Sequence, residues 1–189
     1  VGSDIIILTA TSDDLNSAAD EQLATVEAVS ASGAAGAVNI ALTAQTEGFS
    51  ITGGASADTL TGGSGADSFI GFVGADTVTG GAGTDTIILT ATSADLNSAT
   101  DAQLATVEAI SAAGAASAVS ITLGAQSEGF SITGGASGDT LTGGSGNNNF
   151  MGFAGADTVT GGGGVDTIVL TATSATLNTA IDAQLVTVE

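Results

Sequence analysis

Residues Gly53 to Ile88 read GGASADTLT-GGSGADSFI-GFVGADTVT-GGAGTDTII, four tandem nonapeptides of the form G-G-x-G-x-D-x-U-x in which U is a large apolar residue. The block returns from Gly134 to Val169 as GGASGDTLT-GGSGNNNFM-GFAGADTVT-GGGGVDTIV. Aspartates recur every nine residues at Asp58, Asp67, Asp76 and Asp85, and then at Asp139, Asp157 and Asp166, with Asn148 in the remaining slot. Two residues after each comes the apolar position: Leu60, Phe69, Val78 and Ile87, then Leu141, Phe150, Val159 and Ile168.

The spacing has a physical reading. A short x-U-x strand turns one apolar side chain inward and its neighbours outward, by the two-residue period of a strand. The glycines let the backbone turn through positive φ within six residues and present carbonyl oxygens to a common point. One nonapeptide is then half a turn of a flattened solenoid, and residues eighteen apart stack. Asp58 falls over Asp76, Asp67 over Asp85, Asp139 over Asp157 and Asn148 over Asp166. Stacked carboxylates repel unless a cation sits between them, and carboxylate and carbonyl oxygens suit Ca²⁺ better than Mg²⁺. This pattern resembles the calcium-binding repeat of the RTX (repeats-in-toxin) family. The resemblance implies a right-handed parallel β-roll, an all-β fold with Ca²⁺ as its cofactor. The candidate ligands are Asp58, Asp67, Asp76, Asp85, Asp139, Asn148, Asp157 and Asp166. Asp4 joins them, because Val1-Gly2-Ser3-Asp4 looks like the tail of a further nonapeptide.

Composition agrees with a need for cations. The chain holds 20 acidic residues and no Lys, Arg or His, a formal charge of −20 without an internal counterion. One Ca²⁺ per stacked pair gives about four ions and neutralises roughly eight charges. Asp13, Asp14, Asp20, Asp95, Asp101 and Asp182 read as a solvated acidic surface. Nucleic acid is excluded as a partner, since phosphate contacts need cationic side chains, and anionic membrane surfaces are disfavoured for the same reason. No apolar run is long enough to span a bilayer, and no signal peptide opens the chain. There is no Cys and hence no disulfide framework. Weak calcium modules work at the high free calcium outside cells, which favours an extracellular or cell-surface location. The family resemblance implies one-step secretion through a C-terminal signal, although nothing at the end of this chain is recognisable as one.

Shifted by 81 residues, the sequence overlays itself, Asp4 to Thr84 on Asp85 to Val165, and a third copy opens at Asp166. The expected organisation is a first repeat at 1–84, comprising a leading segment at 4–52 and a nonapeptide block at 53–84. A second repeat covers 85–165, with its leading segment at 85–133 and block at 134–165. The start of a third occupies 166–189. Both ends fall inside a repeat, which reads as a window on a longer array. In the second leading segment the apolar centres step from Ile87 to Ile110, Ile121, Ile132 and Leu141. Strands are expected at Val107 to Ser111, Val119 to Leu123 and Phe130 to Thr133. The long first step contains SADLNSATDAQLATVE, where Ser93 and Thr100 are helix-cap candidates and Thr100 with Gln103 makes a capping-box pattern. One or two helical turns are expected there, with Leu96, Leu104 and Val107 on one apolar face. If this helical insert takes one strand's place inside the coil, each repeat contains eight half-turns. The stretches Leu89 to Asn97 (LTATSADLN) and Thr106 to Ser111 (TVEAIS), joined to the nonapeptide block, are similar to those of large bacterial surface repeat proteins, including adhesins and surface-layer proteins.

Some positions break the pattern. Phe72 and Phe153 replace the second glycine of the third nonapeptide. The coil centre is already filled by Val78 or Val159, so each ring is expected either to cover an edge of the core or to make a lateral contact to another chain. Asn148 keeps a side-chain oxygen but no charge, so a calcium shared with Asp166 should be weaker. Glu47 and Glu128 are either closing ligands for the first site of each roll or solvated turn residues. Glu27 and Glu108 are expected to point outward.

An enzyme lacks its usual parts here. Without His, Lys, Arg, Cys or Tyr, there is no nucleophile–base pair, Schiff-base lysine or zinc hydrolase site. The Gly-rich loops lack the lysine of a phosphate cradle. A glycosidase-like carboxylate pair is formally possible, but calcium already accounts for the aspartate rows. Stacked threonines such as Thr59 and Thr77 offer a ligand- or ice-binding face as an alternative, and a folding roll appended to a secreted enzyme is another. The leading expectation is a calcium-stabilised structural module of a surface layer, adhesin stalk or matrix filament, with self-association between repeats or chains.

Overall fold

An apolar residue set between two glycine-rich turns supports a strand three residues long and little more, and that is what forms. The computed structural model describes residues 3–170, 175, 177 and 185–188. It contains two compact units, one built from residues up to Ile87 together with Ala102–Val107, the other from Ile88–Asp101 and from Glu108 onward. Each is a parallel β-solenoid.

In the first unit the strands are β1 (Ile5–Ile7), β2 (Ala28–Ser30), β3 (Asn39–Ala41), β4 (Ser50–Thr52), β5 (Thr59–Thr61), β6 (Ser68–Ile70), β7 (Thr77–Thr79), β8 (Thr86–Ile88) and β9 (Leu104–Ala105). They form two faces, ordered β1-β2-β4-β6-β8 and β3-β5-β7-β9. Successive nonapeptides thus alternate between faces, and partners on one face lie eighteen residues apart: Leu60 pairs with Val78, and Ile51 with Phe69. The central residue of each strand points inward. Val29, Ile40, Ile51, Phe69, Val78, Ile87 and Leu104 are wholly buried. Each such side chain contributes about 1.5–3 kcal/mol on burial. Side chains flanking the strands, among them Val38, Leu42, Phe49 and Leu89, are buried with them.

The second unit repeats the plan with β10 (Ala109–Ser111), β11 (Ser120–Thr122), β12 (Ser131–Thr133), β13 (Thr140–Thr142), β14 (Asn149–Met151), β15 (Thr158–Thr160), β16 (Thr167–Val169) and β17 (Leu185–Val186). Its faces run β10-β12-β14-β16 and β11-β13-β15-β17. Ile110, Ile132, Phe150 and Ile168 stack on one face, and Ile121, Leu141, Val159 and Leu185 on the other.

The helical insert belongs to the coil. Between β1 and β2 the chain crosses to the other face through α1 (Asp13–Asn16) and α2 (Asp20–Leu23), burying Leu15 and Leu23. Asn16 then stands in for a strand at the edge of β3. Its Nδ2 donates to Asn39 O at 3.1 Å, its Oδ1 accepts from Ala41 N at 2.9 Å, and Thr11 Oγ1 accepts from Asn39 N at 2.8 Å. The second unit repeats this with α3 (Ala94–Asn97). Asn97 bonds Ser120 O and Thr122 N, and Thr92 bonds Ser120 N. Ser93 caps α3 by accepting from Leu96 N at 3.0 Å, as its sequence position predicts.

Three expectations need correction. Leu104 lies on strand β9, paired with Val78, and not on a helical face with Leu96. A neighbouring rung offers it ladder hydrogen bonds that a single helical turn cannot match. Phe72 is 1% exposed and Phe153 6%, so both rings join the core, and of the two readings the lateral contact to another chain is the one overturned. The glycine before each ring, Gly71 or Gly152, has φ of +74° or +72° and turns the backbone so that the next side chain goes inward. Finally, among the described residues left-handed glycines occur only in the third and fourth nonapeptides of each block, at Gly71, Gly74, Gly81 and Gly83 and their counterparts. In the first two nonapeptides glycine serves close approach instead. A Cβ on Gly63 would collide with the carbonyl of Gln45, and one on Gly65 with the backbone of Glu47.

Candidate metal centre

All seven aspartates at the sixth nonapeptide position are buried: Asp58, Asp67, Asp76, Asp85, Asp139, Asp157 and Asp166. Burying a carboxylate is costly unless its lone pairs are used. Here the Oδ1 of each accepts a backbone N–H from the rung before. Asp58 N donates to Asp76 at 2.9 Å, Asp67 N to Asp85 at 2.7 Å and Asp139 N to Asp157 at 2.8 Å. In the first rungs, where no aspartate precedes, Val38 N donates to Asp58, Phe49 N to Asp67 and Val119 N to Asp139. The Oδ2 of most accepts from its own turn: Gly63 N to Asp67 at 2.9 Å, Val73 N to Asp76 at 3.1 Å, Gly135 N to Asp139 at 2.6 Å and Ala154 N to Asp157 at 2.8 Å. Each aspartate thus joins its turn to the preceding one, and most also tie their own turn shut.

The stacked carboxylates therefore do not face one another directly. Among the described residues no three carboxylates gather in one group. A cation here would have one or two carboxylates and the backbone carbonyls that the glycine turns bring close. The point where Gly62 would carry a Cβ is crowded by both Asp67 Oδ2 and the Gly80 carbonyl. Acceptor beside acceptor in a buried turn is the chemistry a hard divalent ion satisfies, and these oxygens fit Ca²⁺. Burial pushes the Asp67 carboxyl above its ordinary range against the lowering effect of its bonds from Phe49 and Gly63. Burial does the same at Asp157, with the neighbouring charge of Asp139 adding to the rise.

Asn148 behaves differently. Its Oδ1 accepts from Phe130 N at 3.0 Å, as Asp67 does from Phe49. Its Nδ2, however, donates to Gly146 O at 2.7 Å, Gly161 O at 3.3 Å and Asp166 Oδ1 at 3.0 Å. Oxygens that sit acceptor-to-acceptor around Asp67 are here bound to an amide donor. Asp4 is exposed, and its backbone N–H donates to Glu27 Oε2 at 2.6 Å. Glu47 is half-buried, with an Oε2 that is screened from solvent and accepts no hydrogen bond, whereas Glu128 is exposed.

Sequence reasoning missed several polar roles. Asp20 accepts from Thr46 N at 2.8 Å and Asp101 from Ser127 N at 2.7 Å, so both pin a later turn instead of merely facing water. Asp182 lies outside the described residues. Gln45 and Gln126 are buried and donate to Ala18 O and Ala99 O at 2.9 Å, anchoring the insert. Thr106 and Thr187 take left-handed φ of +50° and +51°, which no local sequence signal foretells for a β-branched residue.

Comparison with known proteins agrees with this geometry. Residues 52–87 and again 133–168 match the family model of the RTX calcium-binding nonapeptide repeat, described as four copies. The chain carries RTX calcium-binding repeats. Neither curated proteins nor solved structures gave a match. The RTX repeats bind Ca²⁺, and the two matched stretches contain all the buried aspartates described above. RTX repeats occur in secreted proteins, and no described helix is long and apolar enough to cross a membrane.

Proposed function

We propose that the chain is a calcium-stabilised structural module of an extracellular bacterial array, such as a surface layer, adhesin stalk or matrix filament. The observation that carries this reading is the set of seven buried aspartates in a chain with no Lys, Arg or His. A protein without cationic side chains can offset such charge only with hydrogen bonds and bound cations.

In this reading Asp58, Asp67, Asp76, Asp85, Asp139, Asp157 and Asp166 supply carboxylate oxygen, and carbonyls of the glycine turns complete each shell. Asp4 serves the same role towards a preceding turn. Asn148 is not a ligand, because its amide hydrogens already occupy the facing oxygens. Bound calcium supplies the positive charge that the sequence lacks. The aspartates hold the turns in register through their bonds to backbone N–H groups. Near-identical 81-residue repeats suit a scaffold that gains reach by copying one unit, and neighbouring repeats or chains are its natural partners. Catalysis has no place in the module, and neither nucleic acid nor lipid finds a cationic surface to bind.

Circular dichroism across a calcium titration tests the reading. The expectation is an expanded, disordered chain in chelator and a β-rich one in millimolar calcium. A β signal indifferent to chelator refutes it. Electron microscopy with and without calcium then reads the form of the array.

A further inference from the structure

We propose that the last cation site of each nonapeptide block is closed by a threonine outside the block, Thr187 for Asp166 and Thr106 for Asp85. The inference rests on the reading that the nonapeptide turns hold calcium, and it extends the ligand set into the leading segment of the next repeat.

The first clue is a diverted hydrogen bond. In the first two nonapeptides a turn N–H fills the carboxylate Oδ2, as Gly63 N does for Asp67 and Gly135 N for Asp139. In the fourth nonapeptide the equivalent amide turns elsewhere. Gly162 N donates to Thr187 Oγ1 at 2.9 Å, and Gly81 N to Thr106 Oγ1 at 2.8 Å. The Oδ2 of Asp166, a residue with 0% exposure, is buried and accepts no hydrogen bond.

The second clue is what stands beside that oxygen. A Cβ on Gly161 would strike both Asp166 Oδ2 and the backbone carbonyl of Thr187. At Gly80 the same two neighbours are Asp85 Oδ2 and the carbonyl of Thr106. Within the block, the Gly80 carbonyl holds this place beside Asp67 Oδ2. The threonine carbonyl therefore occupies the position that the first glycine of a sixth nonapeptide would take, eighteen residues after Gly80 or Gly161. A buried anionic oxygen against a carbonyl oxygen, with no donor to it, is a half-built shell for a hard cation.

The threonine backbone is bent to this end. Thr106 and Thr187 hold φ of +50° and +51°, an arrangement that costs a β-branched residue free energy. Thr25, in the same Gln-Leu-Ala-Thr run as Thr106, stands 21 residues after the exposed Asp4 and does not adopt positive φ. The strained form thus occurs where the threonine carbonyl lies against a glycine and the buried aspartate of that turn.

The roles separate cleanly. The threonine hydroxyl draws the glycine N–H away from the carboxylate, and its carbonyl becomes a ligand. Replacing Thr187 or Thr106 with Val removes the hydroxyl and returns the glycine N–H to the aspartate, giving it the competing donor that Asp67 and Asp139 carry. Isothermal titration should show one calcium site weakened about tenfold in each of T106V and T187V and two in the double variant, the worth of one hydrogen bond. T106S and T187S should restore the affinity. Unchanged affinities in the valine variants overturn the proposal, whereas a parent chain that binds no calcium overturns the proposed function with it. Carbonyl ¹³C shifts of the unaltered chain give an answer independent of variant folding. Those of Thr106 and Thr187 should move on calcium addition while that of Thr25 stays. Shifts that move equally at all three, or at none, defeat the assignment.

Discussion

Asp58 and Asp76 are joined through backbone and side chain, the N–H of Asp58 donating to Asp76 Oδ1 at 2.9 Å, and not through facing carboxylates. Charge and hydrogen bonding at this position can therefore be separated. Asp76→Asn keeps an acceptor for the N–H of Asp58, gives up the one that Val73 N–H uses, and removes the charge. It should cost the chelated chain less than Asp76→Ala while raising the calcium concentration needed for folding. Asp76→Ala strands both N–H groups and should cost about 1–3 kcal/mol for each, with or without calcium. Denaturant melts in chelator and in calcium distinguish the two.

Asn148→Asp makes the converse change. It removes amide hydrogen bonds to Gly146 O, Gly161 O and the Asp166 carboxylate and adds a buried negative charge. In chelator the variant should lose about 1.5–3 kcal/mol, the worth of hydrogen bonds to a charged group. In calcium it should recover and bind one more ion. Titration calorimetry beside a thermal melt reads both effects.

Mild acid should help the calcium-free chain. The folded-state carboxyls of Asp67 and Asp157 lie above the ordinary value of 3.8, with burial as the main cause. The folded state therefore takes up protons first as pH falls. Stability rises as pH drops through the raised values and the gain is complete below 3.8. Relief of the general repulsion among acidic groups acts in the same direction. Thermal melts in chelator between neutral pH and pH 4 should show Tm increasing, and a steady decrease would contradict the assignment.

Turn spacing predicts a sharp contrast between glycines. Gly63→Ala puts a methyl into the carbonyl of Gln45, backbone that cannot step aside, and should abolish the β signal or cost more than about 3 kcal/mol. Gly33→Ala meets nothing within 4 Å and should be neutral or slightly stabilising. Phe72→Ala tests the core position of the ring, with an expected loss of about 3–5 kcal/mol. A ring serving only contacts between chains would leave the melt of an isolated chain unaffected.

Much of the fold was legible because a strict period leaves little choice. Leu60 over Val78 and Asp58 beside Asp76 follow from the eighteen-residue stack alone. The strand centres Ile110, Ile121 and Ile132 were also readable, since each is an isolated apolar residue between small ones. The failures fall where tertiary contact overrode local pattern. Leu104 has helix-compatible neighbours, but β7 offers a ladder partner, so the segment extends. Phe72 looked excluded because only strand centres were counted as interior, and a left-handed Gly71 escapes that count. The carboxylates were foreseen as stacked, but their backbone donors were not, because a period of eighteen gives neighbours without orientation. The threonines Thr106 and Thr187 gave no sign, being ordinary in sequence and unusual only in φ.

The side-chain clip made by Asn16 on β3 and by Asn97 on β11 has a consequence for how such a chain finds its fold. Consecutive nonapeptides are nearly interchangeable, so a coil that slipped by one full turn would bury the same residues and lose almost nothing. The asparagine fits one strand edge only. Met once per copy, it acts as a punctuation mark in an otherwise monotonous text, penalising every frame but one and keeping an error in one copy from spreading to the next.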